Sequence, residues 1–162
     1  MTIFGVGPLF LACSLTYLGG AYWLTLRWPG AASLAFIPLS LRVGSAVALI
    51  TCGVCLIAFA AWTMHKAFRA GRLCTTGAFA WCRHPIYGAW TCLVFPGLAL
   101  LMNSWPALTT PIFMYLCLRL LVRREEDWLN RKFGEEYREY RQRVPAVLPL
   151  GRIISLFRRR IH

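Results

Sequence analysis

Apolar residues in this chain fall into long blocks separated by short polar breaks, and the block lengths set the first expectations. The first block runs from about Ile3 to Leu26. As a helix rising about 1.5 Å per residue it is long enough to cross a hydrocarbon layer of about 30 Å. A secretory signal would need a basic leading segment and a shorter apolar run, so the block is expected to remain as a span. Arg27 to Arg42 forms a connector that carries Pro29, Gly30 and Pro38. Its apolar piece, Ala31 to Leu41, is too short to cross and is expected to lie in the interface.

A second span is predicted from about Val43 to Met64, followed by a polar, glycine-bearing stretch from His65 to Arg83 that holds Lys66, Arg69, Arg72 and Arg83. Beyond Pro85 come two shorter apolar blocks, Tyr87 to Met102 and Trp105 to Val122, divided by Asn103, Ser104 and Pro106. They predict a tight helical hairpin. From Arg123 the pattern is charged but helical, broken at Gly134 and stopped at Val144-Pro145. Glu135 with Arg138, and Glu139 with Arg143, have the spacing of surface ion pairs, while Phe133, Tyr137 and Tyr140 are placed to pack back on the rest.

Composition sharpens this picture. Of 162 residues 58% are apolar, and the mean hydropathy is +0.54, which argues against a water-soluble domain of this size. All six acidic residues lie between Glu125 and Glu139, so the preceding 124 positions carry no carboxylate side chain. The net charge of +12 invites a nucleic-acid reading, but the arginines stand at the ends of apolar blocks and in the tail rather than in a nucleic-acid-binding motif. Lipid headgroups are the partner that such juxtamembrane clusters favour. Cys52 and Cys55 form a close pair among seven cysteines, yet they sit inside an apolar block without a second pair or histidines at zinc spacing. They read as small apolar residues, and no metal is expected.

Four spans would return the chain to its starting side. The stretch after the second span and the tail then share a side rich in Lys and Arg, whereas the first loop has Arg27 and Arg42 and the hairpin turn has none. Positive-inside counting places both termini in the cytoplasm of a multi-pass protein, in a bacterial inner membrane or the endoplasmic reticulum depending on source.

Arg83-His84-Pro85 stands at the mouth of the hairpin with Tyr87 just beyond. An ionisable pair near the membrane has a task or a partner, or serves as an interfacial anchor. The last span decides between these readings, because it carries Glu125 and Glu126 back to the same end. Two polar clusters distant in sequence are thus expected to face each other.

The segment Thr76 to Tyr87, which includes Arg83-His84-Pro85-Ile86-Tyr87, resembles the isoprenylcysteine carboxyl methyltransferases, as do Glu125-Glu126 with Leu129, the run Phe133 to Tyr140, Val144-Pro145 and Leu148-Pro149. The likeness covers about Leu73 to Pro149, roughly half the chain. Related phospholipid methyltransferases and, more remotely, membrane sterol reductases have similar elements, and Ile86 between the Pro and the Tyr fits the methyltransferases better than the reductases. The resemblance implies an all-α integral membrane enzyme of about four transmembrane helices with a C-terminal helical hairpin and a cytoplasmic helical tail. It divides into two N-terminal spans (1–64), a methyltransferase core (65–149) and a basic tail (150–162).

The same resemblance implies S-adenosylmethionine as cofactor, no metal, and a hydrophobic or lipid-modified acceptor, foremost a prenylcysteine-type carboxylate. Its implied cofactor contacts are Leu73, Gly77, Phe79, His84, Pro85, Tyr87, Glu125 and Glu126, with Arg83 and Glu125 as catalytic residues. The donor offers a carboxylate for Arg83 or His84, an amino group and sulfonium for Glu125, and an adenine for Leu73, Phe79 or Tyr87. An acceptor carboxylate needs a cation to orient it, Arg83 first with Arg119 and Arg124 behind; a thiol or amine needs a base, His84 or Glu125. Other readings are a phospholipid or small-molecule methyltransferase, a nicotinamide-dependent reductase and a noncatalytic membrane subunit. Two departures from the family pattern stand out: the usual Gly two positions after the Tyr is Ala89, with Gly88 one place early, and Phe79 replaces a commoner Tyr.

Overall fold

The computed structural model describes residues 6–147, and in these the chain is helical with no β-strand. Helix α1 spans Gly7–Arg27, the short α2 Pro29–Ala32, and α3 Leu39–Arg69. Then come α4 (Pro85–Ala89) and α5 (Phe95–Leu101), joined by a π turn at Trp90–Val94 into one rod. The long α6 covers Thr110–Phe133 and α7 covers Glu135–Arg143. Among the described residues three helices are long and apolar enough to cross a membrane: Gly7–Arg27, Leu39–Arg69 and Pro106–Phe133. The rod Pro85–Leu101 is apolar but shorter. The fold is that of an all-α membrane protein, with a hairpin where the sequence predicts one.

The expected boundaries shift in informative ways. The second span extends past Val43 and Met64 at both ends, and its 31 residues reach roughly 46 Å at 1.5 Å per residue, beyond the hydrocarbon thickness. Its outward face carries exposed Val47, Val54, Phe59 and Trp62 together with Cys52 and Cys55, the surface that lipid would solvate. The connector folds as α2 plus a turn, with Leu34 buried and Phe36 exposed. The first residues of the first block, the Leu148-Pro149 element and the basic tail at 150–162 lie outside the described residues.

Helix α3 packs along the α4–α5 rod, and α1 packs along α6. Between α1, α5 and α6 lies a core of Phe10, Leu18, Phe95, Ala99, Met114, Leu118 and Val122. Small residues let α3 and the rod approach closely, as membrane helices do when dispersion contacts replace the hydrophobic drive. A methyl added at Gly97 would lie 2.6 Å from Ile50 Cγ1 and 3.0 Å from the Ala46 carbonyl oxygen. The rod widens where Pro96 has no N–H for the preceding turn, and the Phe95 amide reaches back to the Trp90 carbonyl.

The hairpin turn is closed by side chains. Asn103 takes a left-handed φ of 54°, and its Oδ1 accepts from the Leu34 amide and from Arg42. Ser104 Oγ lies 2.7 Å from Thr25 Oγ1, and the Trp105 indole donates to the Ala31 carbonyl at 2.8 Å. This turn is at the opposite end of the bundle from the start of α4. Breaks and crossings therefore put the α1 N-terminus, the end of α3, the start of α4 and the end of α6 together.

Gly97→Ala should lower stability in detergent by about 1–3 kcal/mol through overpacking. Gly19→Ala, with no heavy atom within 4 Å of the new methyl, should leave the thermal midpoint unchanged or slightly raised. Equal melting of the two variants would mean that the α3–rod contact is looser than described.

Candidate active site

The stretch leading into α4 is fixed by backbone constraints before any side chain contributes. Gly77 has φ +60° and opens a 3-10 turn, Gly77–Ala80; a methyl there would meet the Phe59 ring at 3.2 Å. Pro85 then takes the first turn of α4, where a missing N–H costs nothing. The Arg83 and His84 amides just before it donate to the carbonyls of Pro145 and Ala146, each at 2.9 Å. The Tyr140 hydroxyl donates to the Phe79 carbonyl at 2.7 Å. The chain after α7 is thus strapped across the Arg-His-Pro segment, with Val147 lying against Gly88.

Adjacent positions on a helix point about 100° apart, and α6 uses this to give its two glutamates different surroundings. Glu126 is buried, with Oε1 2.9 Å from Arg83 Nη1 and 3.5 Å from His84 Nε2, and Oε2 3.6 Å from Arg141 Nη2. Glu125 faces the neighbouring cavity and accepts a hydrogen bond from the Tyr87 hydroxyl at 3.1 Å. The two clusters expected to meet do meet, and the carboxylate on Arg83 and His84 is that of Glu126. Tyr137 is buried beside them; burial and then the Glu126 charge push its hydroxyl up to about 12.

The cavity holds about 540 Å³ and lies between the N-terminal end of α1, the end of α3, the start of the α4–α5 rod and the last turns of α6, with α7 as a floor. Leu73, Phe79, Arg83, His84, Pro85, Tyr87 and Glu125 line it. Gly77 faces α3 instead, and Glu126 stands behind Arg83, so neither is in the lining. Arg119 and Arg124, the reserve cations of the sequence reading, are exposed and likewise off the cavity. The Phe79 ring lines the wall while its carbonyl accepts from Tyr140, so the ring's missing hydroxyl leaves the strap intact.

Polar atoms at the wall are left with capacity. Arg83 Nε and Nη1 and His84 Nε2 are buried with no well-aligned hydrogen bond, although both side chains face Glu126, at 2.9 Å from Arg83 and 3.5 Å from His84. The other wall is apolar, formed by Pro8, Phe10 and Leu11 of α1 with Ile86, Trp90 and Met64. Phe10 meets Tyr87 edge to face at 5.1 Å, which joins the apolar wall to the polar one. The cavity draws on residues from both sides of the 64/65 division expected from sequence.

Several lining residues, among them Trp128, Lys132 and those of α1, were not singled out from sequence. Glu125, Trp128, Leu129, Lys132 and Phe133 recur at three- and four-residue steps along one face of α6, a period legible once the helix is known to continue to Phe133. The α1 residues gave no local signal, since their part in the cavity follows from packing alone.

Glu126→Ala would leave Arg83 buried and uncompensated, and should cost about 3–5 kcal/mol. Glu139→Ala, which opens an exposed pair with Arg143, should cost less than about 1 kcal/mol. Chemical denaturation of the two variants in one detergent checks the contrast.

Comparison with known proteins bears on the same segments. The phospholipid methyltransferase family profile matches residues 41–136, more than half of the chain. Protein-S-isoprenylcysteine O-methyltransferases of Mus musculus and Homo sapiens are each 36% identical over 77 residues, which is 48% of this chain and 27% of each relative. The enzyme of that name from Tribolium castaneum is 34% identical over 79 residues, with the same coverage. The matched stretch therefore spans little more than a quarter of these relatives' length. No solved structure matches the chain. A family match over 41–136 takes in nearly all of α3, the Arg-His-Pro segment, the hairpin and both glutamates of α6, and on that ground the chain belongs to the phospholipid methyltransferase family.

Proposed function

We propose that this chain is a membrane-embedded, S-adenosylmethionine-dependent methyltransferase whose acceptor is a prenylcysteine-type carboxylate. The observation that carries this reading is a single cavity with two unlike walls: Arg83, His84 and Glu125 on one, and Phe10, Leu11, Ile86 and Trp90 on the other. The names of the similar proteins support O-methylation of an isoprenylcysteine. The family description supports a second reading, a phospholipid amine as acceptor.

The residues present fit the methyl donor. Its amino-acid end carries a carboxylate and an ammonium, for which the wall has the Arg83 and His84 side chains and the Glu125 carboxylate. Phe79 and Tyr87 offer rings to an adenine, and a cavity of about 540 Å³ is of the size that holds small-molecule cofactors. When bound, S-adenosylmethionine supplies a methyl group that forms a C–O bond with the acceptor carboxylate as its C–S bond breaks, the electron pair staying on sulfur as a neutral thioether. The chain's own work is positioning: Arg83 and His84, held by Glu126 and the strap, fix polar groups on one side, and the apolar wall admits a tail and excludes water. A carboxylate acceptor needs no proton removed, whereas an amine would call on Glu125 or His84 as base.

Charge also orients the protein. Lys66, Arg69, Arg72 and Arg83 cluster at the cavity end and Arg27 and Arg42 at the other, so the cavity opens to the cytoplasm by the positive-inside rule. A cysteine reporter at Arg72 should resist an impermeant label in intact cells, and ready labelling from outside would reverse the topology.

Calorimetry tests the activity class. S-adenosylmethionine and its demethylated product should bind, and reduced nicotinamide cofactors should not. Ala at Arg83, His84 or Glu125 should weaken product binding by about tenfold or more, as expected for hydrogen bonds to charged groups. Among acceptors with one reactive group, specificity should rise with tail length at roughly 0.8 kcal/mol per methylene until the cavity is filled. Indifference to the tail would remove the lipid-acceptor reading.

A further inference from the structure

The cavity bears three cationic side chains beside His84: Arg72, Arg83 and Lys132. Their electrostatic situations differ. The charge of Arg83 is already met by Glu126 at 2.9 Å. Arg72 and Lys132 make no hydrogen bond or ion pair through their side chains among the described residues. Arg72 is at the end of a turn, but the Lys132 ammonium is located by aromatic faces, 4.9 Å from the Trp128 ring centre, 5.0 Å from Phe68 and 5.2 Å from Phe133. Ring faces stabilise a cation by their quadrupoles while supplying no strong hydrogen-bond acceptor. The result is an ammonium held in place at the cavity with its three donors unspent.

We infer that Lys132, pinned over Phe68, Trp128 and Phe133, is the receptor for a ligand carboxylate in this cavity and thereby a specificity-determining residue. The inference rests on the methyltransferase reading and deepens it. That reading brings two carboxylates to the cavity, one on the donor and one on the acceptor, while Arg83 has charge to balance neither because Glu126 takes it. The uncompensated charge is that of Lys132, with Arg72 adding to the field. Lys132 stands four residues beyond Trp128 and seven beyond Glu125 on α6, so the anion receptor and the acidic wall share one helix face. An acidic acceptor is held there, and an acceptor without an anionic group gains nothing from it.

The test uses the full chain in detergent and reads binding as well as turnover. N-acetyl-S-farnesylcysteine is compared with its carboxamide, and S-adenosylhomocysteine with 5′-methylthioadenosine, which lacks the amino-acid end. Lys132→Gln should weaken the farnesylcysteine carboxylate by about tenfold or more, leave the carboxamide unchanged, and raise KM with little change in kcat. Lys132→Arg should restore most of the loss. If the loss falls instead on S-adenosylhomocysteine and spares 5′-methylthioadenosine, the carboxylate received is the donor's and the acceptor-specificity role is overturned. Equal effects on carboxylate and carboxamide, or no effect on either pair, would overturn the inference. Failure of the unmodified protein to bind S-adenosylhomocysteine at all would instead sink the methyltransferase reading on which it rests.

Discussion

The site depends on one carboxylate placed where it has little water. Glu126 is 7% exposed and Arg83 beside it is nearly as buried, so each would be costly alone. Together with His84 and Arg141 they form a compensated cluster that ties α6 to the segment before α4 and to α7. Breaking it by removing one partner leaves the other stranded, which makes the cluster a selector of the arrangement even where its net stabilisation is small. The strap through Pro145 and Ala146 needs that arrangement, because it uses the amides of Arg83 and His84 as its donors. Once the strap is seated, Tyr137, Tyr140 and Val144 close a second apolar core with Leu73.

The membrane helices supply the frame on which this cluster is built. Their outward faces are apolar and their mutual contacts rely on small residues, so the helices can approach without needing polar locks in mid-membrane. Polar locks appear at the ends. At the turn end Asn103, Ser104, Thr25 and Arg42 are joined by hydrogen bonds, and at the cavity end Arg83, His84 and Glu126 meet as charges. Fixing both ends of the hairpin sets its register along α3 and α1, and with it the depth at which the Arg-His-Pro segment stands.

Much of this was legible from residues, because block length and charge placement obey strong physical limits in a membrane. The hairpin, its turn at Asn103-Ser104, the break at Gly134 and the packing of Tyr137 and Tyr140 all follow from such limits. The ion pairs Glu135–Arg138 and Glu139–Arg143 formed at their helical spacing. Other features depend on facts that no local pattern carries. Which of Glu125 and Glu126 meets Arg83 turns on the rotation of α6, and a sequence fixes spacing more readily than phase. Gly77 looked like a ligand contact within its motif but serves to let the chain pass Phe59 with a positive φ. The contribution of Pro8, Phe10 and Leu11 came from the far end of the chain and required the packed bundle. Helix α3 overran its apolar block because Lys66 and Arg69 are good helix formers and carry their charges into the polar region at its end.

The division of the cavity into a compensated wall and an uncompensated rim bears on the chemistry proposed for it. Joining an anionic oxygen to the carbon of an onium group removes a pair of opposite charges, so the reaction is helped by walls that do not solvate the separated charges well. Phe10, Leu11, Ile86 and Trp90 are such walls. The same walls oppose entry of the charged groups, and entry must be favoured by something other than water. Glu125, hydrogen-bonded by Tyr87, can offset a positive group, and Lys132 over its rings can offset a negative one. Arg83 and Glu126 cancel each other, so they fix geometry without preferring either sign strongly. A cavity organised in this way separates positioning from charge recognition, and that separation is why the buried cluster and the exposed Lys132 answer to different measurements: the first to stability and to the fit of any ligand, the second to the sign of the ligand.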